Sequence, residues 1–305
     1  MTGEFAVIEV IRSLLPGPGD AGQVWIGDDS AVLPVPAGDR LLLAADTVVA
    51  GVHADLGLTG LDDLGWKAMA ACVSDIAAMG GDPLWALVTV AGASGEEVRS
   101  LYAGVADASR CFGCPVVGGD LTGGPGLVVT VAVAGTCDGA PVLRSGARAG
   151  DEVWVTGPLG ASAAGLRRLR SGGSSARDAE GADLVRSHAR PVPRLAEGRA
   201  ARSAGATAMI DVSDGLAADV GHICRQSGIG VSLDYVPAAK GATTDEAMSG
   251  GEDFELVFCA PPGAPVGSAF EGLRPPVRIG ECRDNHQGVR LAGAEVAPAG
   301  WEHQL

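Results

Sequence analysis

Positive charge is scarce in this sequence. Its 305 residues contain 22 Lys and Arg against 37 Asp and Glu, so the formal net charge at pH 7 is -15. Nucleic acids and anionic membrane surfaces are bound through basic patches. The charge balance therefore argues against both kinds of partner, and an anionic substrate would need metal ions between itself and the protein.

Lysine is absent from the loops where the commonest nucleotide-binding motif would carry it. The P-loop pattern G-x-x-x-x-G-K-[ST] does not occur, and Lys67 and Lys240 lie outside the glycine-rich loops at 115–124 and 248–251. Glycines in such loops let backbone N–H groups approach phosphate oxygens. Phosphate binding here would rely on backbone groups and metal ions rather than on a P-loop lysine.

Long apolar runs are also missing. None approaches the roughly 20 residues that cross a bilayer, and no basic region followed by an apolar one stands at the N-terminus. We therefore expect a cytoplasmic protein. The 7 cysteines are scattered and do not suggest a disulfide framework. Cys111 and Cys114 have redox or zinc spacing, but no second pair stands at zinc-finger distance, so we expect neither role.

Aromatic residues make up only 4% of the chain, whereas hydrophobic residues make up 47% and glycine accounts for 47 positions. The core must therefore consist mainly of Ala, Val, Leu and Ile, with tight turns between short elements. The length suffices for two domains. The stretch 141–150 is typical of a linker, which predicts domains at 1–140 and 141–305.

Carboxylates recur where apolar runs end. Such residues, together with one in an Ala-rich predicted helix, are Asp28, Asp29, Asp46, Asp75, Asp120 and Asp211. A turn, a helix cap or a solvated helix face explains each of them singly. Their repetition favours a site for hard cations, because Mg²⁺ prefers oxygen ligands.

The segment 209–222, Met-Ile-Asp-Val-Ser-Asp-Gly-Leu-Ala-Ala-Asp-Val-Gly-His, shows the pattern most clearly. Alternate residues of an extended chain share a face, so Asp211 and Ser213 point the same way. Asp214 follows directly, and Gly215 lets the chain turn into a predicted helix at 216–226. Oxygen ligands at such a junction suit a divalent cation.

Three residues elsewhere are candidates for substrate contacts. His53 stands in a Gly-flanked loop, Glu252 follows two glycines at the start of an apolar strand, and Trp301 lies near the C-terminus. A surface histidine, an ordinary loop and a partly buried tail tryptophan are the alternative interpretations. An indole face holds a permanent organic cation well.

Together, the acids and glycine loops favour phosphoryl chemistry organised by magnesium. Two phosphates repel each other, and Mg²⁺ bridging their oxygens cancels that repulsion while aligning attack and departure. Because Mg²⁺ takes only one or two carboxylates per ion, several aspartates would serve several ions.

Five motifs carry a resemblance to a known family. They are Gly-Asp-Asp-Ser-Ala at 27–31, Gly-Gly-Asp-Leu-Thr at 118–122, Asp-Val-Ser-Asp-Gly-Leu at 211–216, Gly-Gly-Glu-Asp-Phe-Glu-Leu at 250–256 and Gly-Trp-Glu-His at 300–303. In this order and spacing the chain resembles the thiamine-monophosphate kinase family, of the aminoimidazole-ribonucleotide-synthetase-like ATP-binding superfamily. The resemblance implies an α/β (α+β) two-domain PurM-like fold. It further implies an N-terminal sheet-plus-helices domain that forms a homodimer, and a C-terminal α/β domain.

The same resemblance implies a reaction and its residues. The γ-phosphate of ATP would pass in line to thiamine monophosphate, giving thiamine diphosphate and ADP without a phosphoenzyme. The implied metal ligands are Asp29, Asp46, Asp75, Asp120, Asp211 and Asp214, of which Asp120, Asp211 and Asp214 are also the catalytic residues. The implied ATP contacts are Gly119, Asp120, Arg144 and Ser213. The thiamine site would be lined by His53, Glu252 and Trp301.

The chain departs from the family pattern at two places. Ala44-Ala45 precede Asp46 where the family has hydroxyl residues, so a metal contact there would come from backbone carbonyls or be lost. The tail ends in Glu-His-Gln-Leu at 302–305, without the aromatic residue that often closes the motif.

Other functions remain open. A synthetase making aminoimidazole ribonucleotide shares the ATP–magnesium core. A selenophosphate synthetase would carry a reactive residue early in the chain, but no Cys precedes Cys72, and a hydrogenase-maturation relative would end in a Cys-bearing tail. A non-catalytic thiamine-phosphate or nucleotide-binding protein is the alternative from another class.

Overall fold

The computed structural model describes residues 10–15, 17, 39–171, 179–297 and 300. The chain divides into two compact units. One consists of Met1–Ile76 and Asp82–Gly139, and the other of Ala77–Gly81 and Ala140–Leu305. The helical spacing of apolar residues at 4–15 predicts an opening helix, of which the structure describes only the second half, where residues 10–14 are helical. Asp28, Asp29 and Trp301 lie outside the described residues.

The first unit contains one sheet and two long helices. Its elements are β1 (Arg40–Val49), α1 (Leu61–Ala78), β2 (Asp82–Ala91), α2 (Gly95–Phe112), β3 (Val116–Thr122) and β4 (Val128–Cys137). The strand order is β1-β4-β2-β3, with only the β2–β3 pair parallel.

Alternation along β4 separates the two faces of this sheet. Val129, Val131 and Val133 are buried, whereas the residues between them are partly exposed. The buried face carries the helices. Tyr102 of α2 donates a hydrogen bond to the carbonyl of Val88, and Trp66 of α1 packs edge-on against Phe112, with ring centroids 5.0 Å apart.

The opposite face of the sheet carries exposed apolar side chains, and no helix or strand among the described residues of this unit covers it. The pairing register brings Leu41, Leu43 and Leu87 onto it. Their exposed fractions are 51%, 76% and 46%. Large apolar side chains clustered on an open surface usually mark an interaction site.

The second unit contains a seven-stranded mixed sheet. Its strands are β5 (Glu152–Val155), β6 (Ala208–Asp211), β7 (Gly230–Leu233), β8 (Leu256–Ala260), β9 (Val277–Arg283), β10 (Gly288–Leu291) and β11 (Ala294–Glu295). Its helices are α3 (Ala161–Ser171), α4 (Ala179–Ala189), α5 (Leu195–Ser203), α6 (Leu216–Ser227), α7 (Thr244–Ser249) and α8 (Val266–Ala269). The strand order is β11-β10-β7-β9-β5-β8-β6, and β10 and β7 are parallel.

This second sheet is buried on both faces at β8. Along β8, Val257 and Cys259 belong to one core cluster and Leu256, Phe258 and Ala260 to another. The first cluster includes apolar residues of α6, and the second includes alanines of α5. A strand covered on both faces needs a continuous apolar run, which the sequence Leu-Val-Phe-Cys-Ala supplies.

The two-domain α/β class predicted from the sequence is confirmed. The sequence predicts helices at 61–79, 95–111 and 216–226, and these match α1, α2 and α6 to within one residue at each end. The low apolar content of 171–181 predicts a surface loop, which is wrong at both ends of the stretch, because residue 171 ends α3 and α4 begins at residue 179. Among the described residues, no helix combines the length and apolar character needed to cross a bilayer.

Candidate active site

The segment singled out by the sequence forms the junction between β6 and α6. Asp211 is the last residue of β6, is 3% exposed, and pairs with Leu256 of β8. Ser213 and Asp214 follow and are half-buried. Gly215 has φ +115°, and a Cβ there would press on the backbone of Ser249, so the turn into α6 requires glycine.

Asp219, in the first turn of α6, holds this junction together. Its Oδ2 atom accepts hydrogen bonds from the backbone N–H groups of Ser213, Asp214 and Gly215, each at 3.1 Å. The residue is 1% exposed. Burial raises the pKa of its carboxyl group to about 8, and the nearby charges of Asp211 and Asp214 act in the same direction.

His222 lies one turn further along α6. The ligand atoms of Asp214, Asp219 and His222 lie within 4.8 Å of one another, which is the one such group of metal-binding side chains among the described residues. Burial lowers the pKa of His222, and so do the charges of Arg225 and Arg144, whereas Asp214 raises it. Arg144, a predicted ATP contact, is therefore in the same neighbourhood as Asp214.

A second loop, at 250–255, is hydrogen-bonded to this junction. The N–H of Glu252 donates to the carbonyl of Ser213 at 2.8 Å, and the N–H of Phe254 donates to the carbonyl of Val212 at 2.9 Å. Glu252 and Phe254 have φ of +64° and +49°. Non-glycine residues adopt such angles only where surrounding contacts fix them, and they cluster at functional sites. Gly251 allows the approach, because a Cβ there would collide with the carbonyl of Ser213.

The side chain of Glu252 faces a buried histidine. Its Oε2 lies 3.6 Å from Nδ1 of His188 on α4, and that nitrogen is 3.1 Å from Oγ of Ser162 on α3. The neighbouring Asp253 accepts hydrogen bonds from the N–H groups of Gly160 and Ser162 at 2.5 and 3.0 Å. Asp253 therefore caps α3, and its burial raises the pKa of its carboxyl group to about 6.

In the first unit, Asp46 and Asp75 come close to the same buried thiol. Burial raises the pKa of Cys72 well above its usual range, and the charges of Asp75 and Asp46 raise it further. Asp46 is exposed on β1, and Asp75 is half-buried on α1. These two predicted metal ligands therefore lie on the helix-covered side of the sheet.

Asp120 lies elsewhere in the same unit. Asp120 pairs with Thr89, and the line of paired residues across the strands that includes them is next to the line that includes Asp46. Successive residues of a strand point to opposite faces of the sheet, so Asp120 and Asp46 lie on opposite faces. Three strand spacings separate β1 from β3, or roughly 14 Å. Gly119 precedes it, where a Cβ would collide with the carbonyl of Val88. The first unit alone does not bring Asp120 to Asp46.

His53 follows β1 and is half-buried. Its Nδ1 accepts a hydrogen bond from the N–H of Val49 at 2.9 Å. The neutral ring therefore carries its proton on Nε2.

Three residues of the second unit that the sequence did not single out lie close to the two loops at 211–215 and 250–255. They are His188, Asp219 and His222. Asp219 had a recognisable signal, since an Asp in the first turn of a helix is suited to accept the otherwise unpaired N–H groups there. His188 had none, because α4 and the loop at 250–255 meet only in the folded chain.

Comparison with known proteins defines the class. Residues 27–137 match the AIR synthase related protein family, N-terminal domain, and residues 148–291 match its C-terminal domain. The chain therefore belongs to the AIR synthase related family.

Within that family its relatives are thiamine-monophosphate kinases. The chain is 39% identical over 254 residues to the thiamine-monophosphate kinase of Escherichia coli (strain K12), covering 78% of this chain and 77% of that one. The crystal structure of thiamine-monophosphate kinase from Stenotrophomonas maltophilia K279a superposes with a TM-score of 0.83 at 33% identity, covering 96% of this chain and 98% of that one. AaThiL complexed with AMPPCP and TMP superposes with a TM-score of 0.80 at 30% identity, covering 99% and 97%.

Proposed function

We propose that the protein transfers the γ-phosphate of ATP to the phosphate of thiamine monophosphate, giving thiamine diphosphate and ADP. The observation that carries the proposal is the hydrogen-bonded pairing of the loop at 211–215 with the loop at 250–255. The first holds the predicted metal and ATP residues and the second holds the predicted substrate residue Glu252. The similarity to AaThiL complexed with AMPPCP and TMP supports the same pair of ligands.

Magnesium fits the donor set of the second unit. Asp211 and Asp214 offer carboxylate oxygens at the two ends of one short turn, and hard oxygen ligands are what Mg²⁺ takes. We assign as metal ligands, over the whole chain, Asp29, Asp46, Asp75, Asp120, Asp211 and Asp214. When bound, the ions neutralise the charge on the two phosphates and align them for in-line transfer.

The other roles fall to residues that touch the two substrates. Gly119 contacts the nucleotide through its backbone, which no side chain obstructs, and Ser213 contacts it as well. Arg144 adds a positive charge near His222, as Asp214 adds a negative one. His53 and Glu252 line the thiamine site, where Trp301 offers an aromatic face to the thiazolium cation. Transfer is direct, so no side chain of the protein is phosphorylated.

The two halves of the chain divide these tasks. Residues 1–140 bind ATP and magnesium and form the dimer, and residues 141–305 complete the ATP and thiamine-phosphate sites. The open apolar face with Leu41, Leu43 and Leu87 supports a homodimer, because water contact of this surface is unfavourable. The cytoplasmic location stays a prediction.

Two other functions share part of this evidence. An aminoimidazole ribonucleotide synthetase would use the same ATP–magnesium core, and a non-catalytic binding protein would explain the loss of hydroxyl groups at 44–45. The identity of 39% to a thiamine-monophosphate kinase favours the kinase over both.

The test is a direct assay. Purified protein is incubated with ATP, MgCl₂ and thiamine monophosphate, and the products are separated by chromatography. We expect thiamine diphosphate and ADP in equal amounts, with no product when magnesium is chelated. Ligand binding without turnover would favour the binding protein, and turnover of an aminoimidazole precursor instead would favour the synthetase.

A further inference from the structure

The carboxylate of Asp219 occupies a place that usually binds anions. Three consecutive backbone N–H groups at the start of a helix form a concave, partly positive site that suits phosphate. Here the N–H groups of Ser213, Asp214 and Gly215 all donate to one oxygen of Asp219. A phosphate therefore cannot use these groups, which lie in the turn that leads into α6.

The same hydrogen bonds orient the oxygens of the loop. In a trans peptide the C=O points away from the N–H of the same plane. With the N–H groups of Ser213 and Asp214 turned toward Asp219, the carbonyls of Val212 and Ser213 point to the opposite side. There they accept hydrogen bonds from Phe254 and Glu252. Two successive peptide planes are thus held from both sides.

We propose that Asp219 is a positioning residue that turns the start of α6 from an anion site into a cation site. By fixing the peptide planes at 212–214, it sets the direction in which Ser213 and Asp214 project their side-chain oxygens. The inference rests on the proposed function, since it takes this loop as magnesium-binding.

Asp151 offers a matched control. It is also buried in the second unit, at 4% exposed, and its carboxylate also accepts a backbone N–H, that of Arg148 at 2.9 Å, and the hydroxyl of Thr207 at 2.7 Å. Asp151 precedes β5, and neither of these two hydrogen bonds involves the loop at 211–215. Replacing either residue with Asn exchanges a buried carboxyl group for an amide at nearly constant volume.

The experiment compares Asp219→Asn with Asp151→Asn in the full chain. Binding of Mn²⁺, as a paramagnetic substitute for Mg²⁺, is titrated by the loss of the free-ion EPR signal, and melting temperatures are measured in parallel. We expect Asp219→Asn to weaken Mn²⁺ binding by about 10 to 100-fold, the usual loss when a partner behind the metal ligands is removed. Asp151→Asn should lower the melting temperature without changing Mn²⁺ affinity.

A second variant covers the case in which the first does not fold. Asp219→Ala leaves the space of a carboxylate, which formate fills. Formate should restore Mn²⁺ affinity to Asp219→Ala and leave Asp151→Ala unchanged. Wild-type Mn²⁺ affinity in Asp219→Asn, or equal losses in the two Asn variants, would overturn the inference. Failure of the wild-type protein to phosphorylate thiamine monophosphate would instead overturn the proposed function, because Mn²⁺ binding is measured without substrate.

Discussion

The backbone N–H of Glu252 donates a hydrogen bond to the carbonyl oxygen of Ser213 at 2.8 Å. This bond joins a predicted substrate residue to a predicted nucleotide contact across 39 positions of sequence. Because both ends are backbone atoms, the distance between the two loops depends on the chain geometry rather than on side-chain rotamers. A change that breaks this bond should therefore affect both ligands together.

Gly251→Ala tests this coupling. Its Cβ would collide with the carbonyl of Ser213, so the loops must separate. We expect the KM values for thiamine monophosphate and for MgATP both to rise several-fold, as steady-state kinetics would show. Gly267→Ala is the control, because a Cβ at that exposed position meets nothing within 4 Å. A rise in only one of the two KM values would show that the loops respond independently.

Asp211→Asn should abolish turnover while the protein stays folded. The change keeps the side-chain volume at the end of β6 but removes a carboxylate proposed to bind magnesium. Activity is measured by thiamine diphosphate formation, and folding by circular dichroism. Asp234→Asn serves as the control, since this carboxylate is exposed and pairs with Arg278 at 3.0 Å. Retained activity in Asp211→Asn would remove this residue from the proposed ligands.

Trp301→Ala should weaken binding of thiamine monophosphate and leave ATP binding nearly unchanged. Loss of the indole removes a contact with a permanent cation, worth roughly 0.5 to 2 kcal/mol. Isothermal titration with each ligand separates the two effects. Equal losses for both ligands would assign the tryptophan a structural role.

Leu43→Glu should convert the proposed dimer into monomers. Leu43 is 76% exposed on the open apolar face, so a charge there would be buried without a partner if two such faces meet. Sedimentation velocity measures the mass. Val192→Glu changes an exposed apolar residue of the second unit and should leave the mass unchanged. A wild-type protein that sediments as a monomer would contradict the homodimer directly.

Asp253 should make stability depend on pH. Its carboxyl pKa rises from 3.8 to about 6 on folding because burial disfavours the charged form. Between these values the folded state binds more protons than the unfolded state, so the free energy of unfolding falls as pH rises from about 4 to about 6 and is level above. The decrease is roughly 3 kcal/mol at most.

Urea unfolding at a series of pH values checks this dependence. Asp253→Asn cannot titrate, so its stability should decrease less than that of the wild-type protein between pH 4 and 6. The variant should also be less stable at neutral pH, because an amide oxygen is a weaker cap for the N–H groups of Gly160 and Ser162. Parallel pH curves for the two proteins would contradict the raised pKa.

Much of the fold was predictable because local patterns decide it. The helices α1, α2 and α6 have clear starts and stops, such as the capping box formed by Ser94 and Glu97 and the left-handed Gly113 that ends α2. The strand before Asp211 was likewise evident from its apolar run and the glycine that follows.

What the sequence could not supply depends on contacts between distant segments. Nothing near Asp253 in the sequence indicates a cap, yet its carboxylate caps a helix that begins 92 positions earlier, at Ala161. Glu255 looked like an ordinary strand residue, but its carboxylate is buried between Arg194 and Arg274 at 2.8 and 2.6 Å. Such pairings follow from strand order, which no local pattern encodes.

The alternation of β8 between two cores restricts how the chain length can vary. Inserting or deleting one residue between Gly250 and Ala260 would exchange the side chains that face α5 and α6 and would move Glu252 away from Ser213. Beyond Ala260 the chain enters an exposed turn at 261–263, where an added residue alters neither core. Natural insertions among homologues should therefore collect after Ala260 and be absent from the eleven positions 250–260.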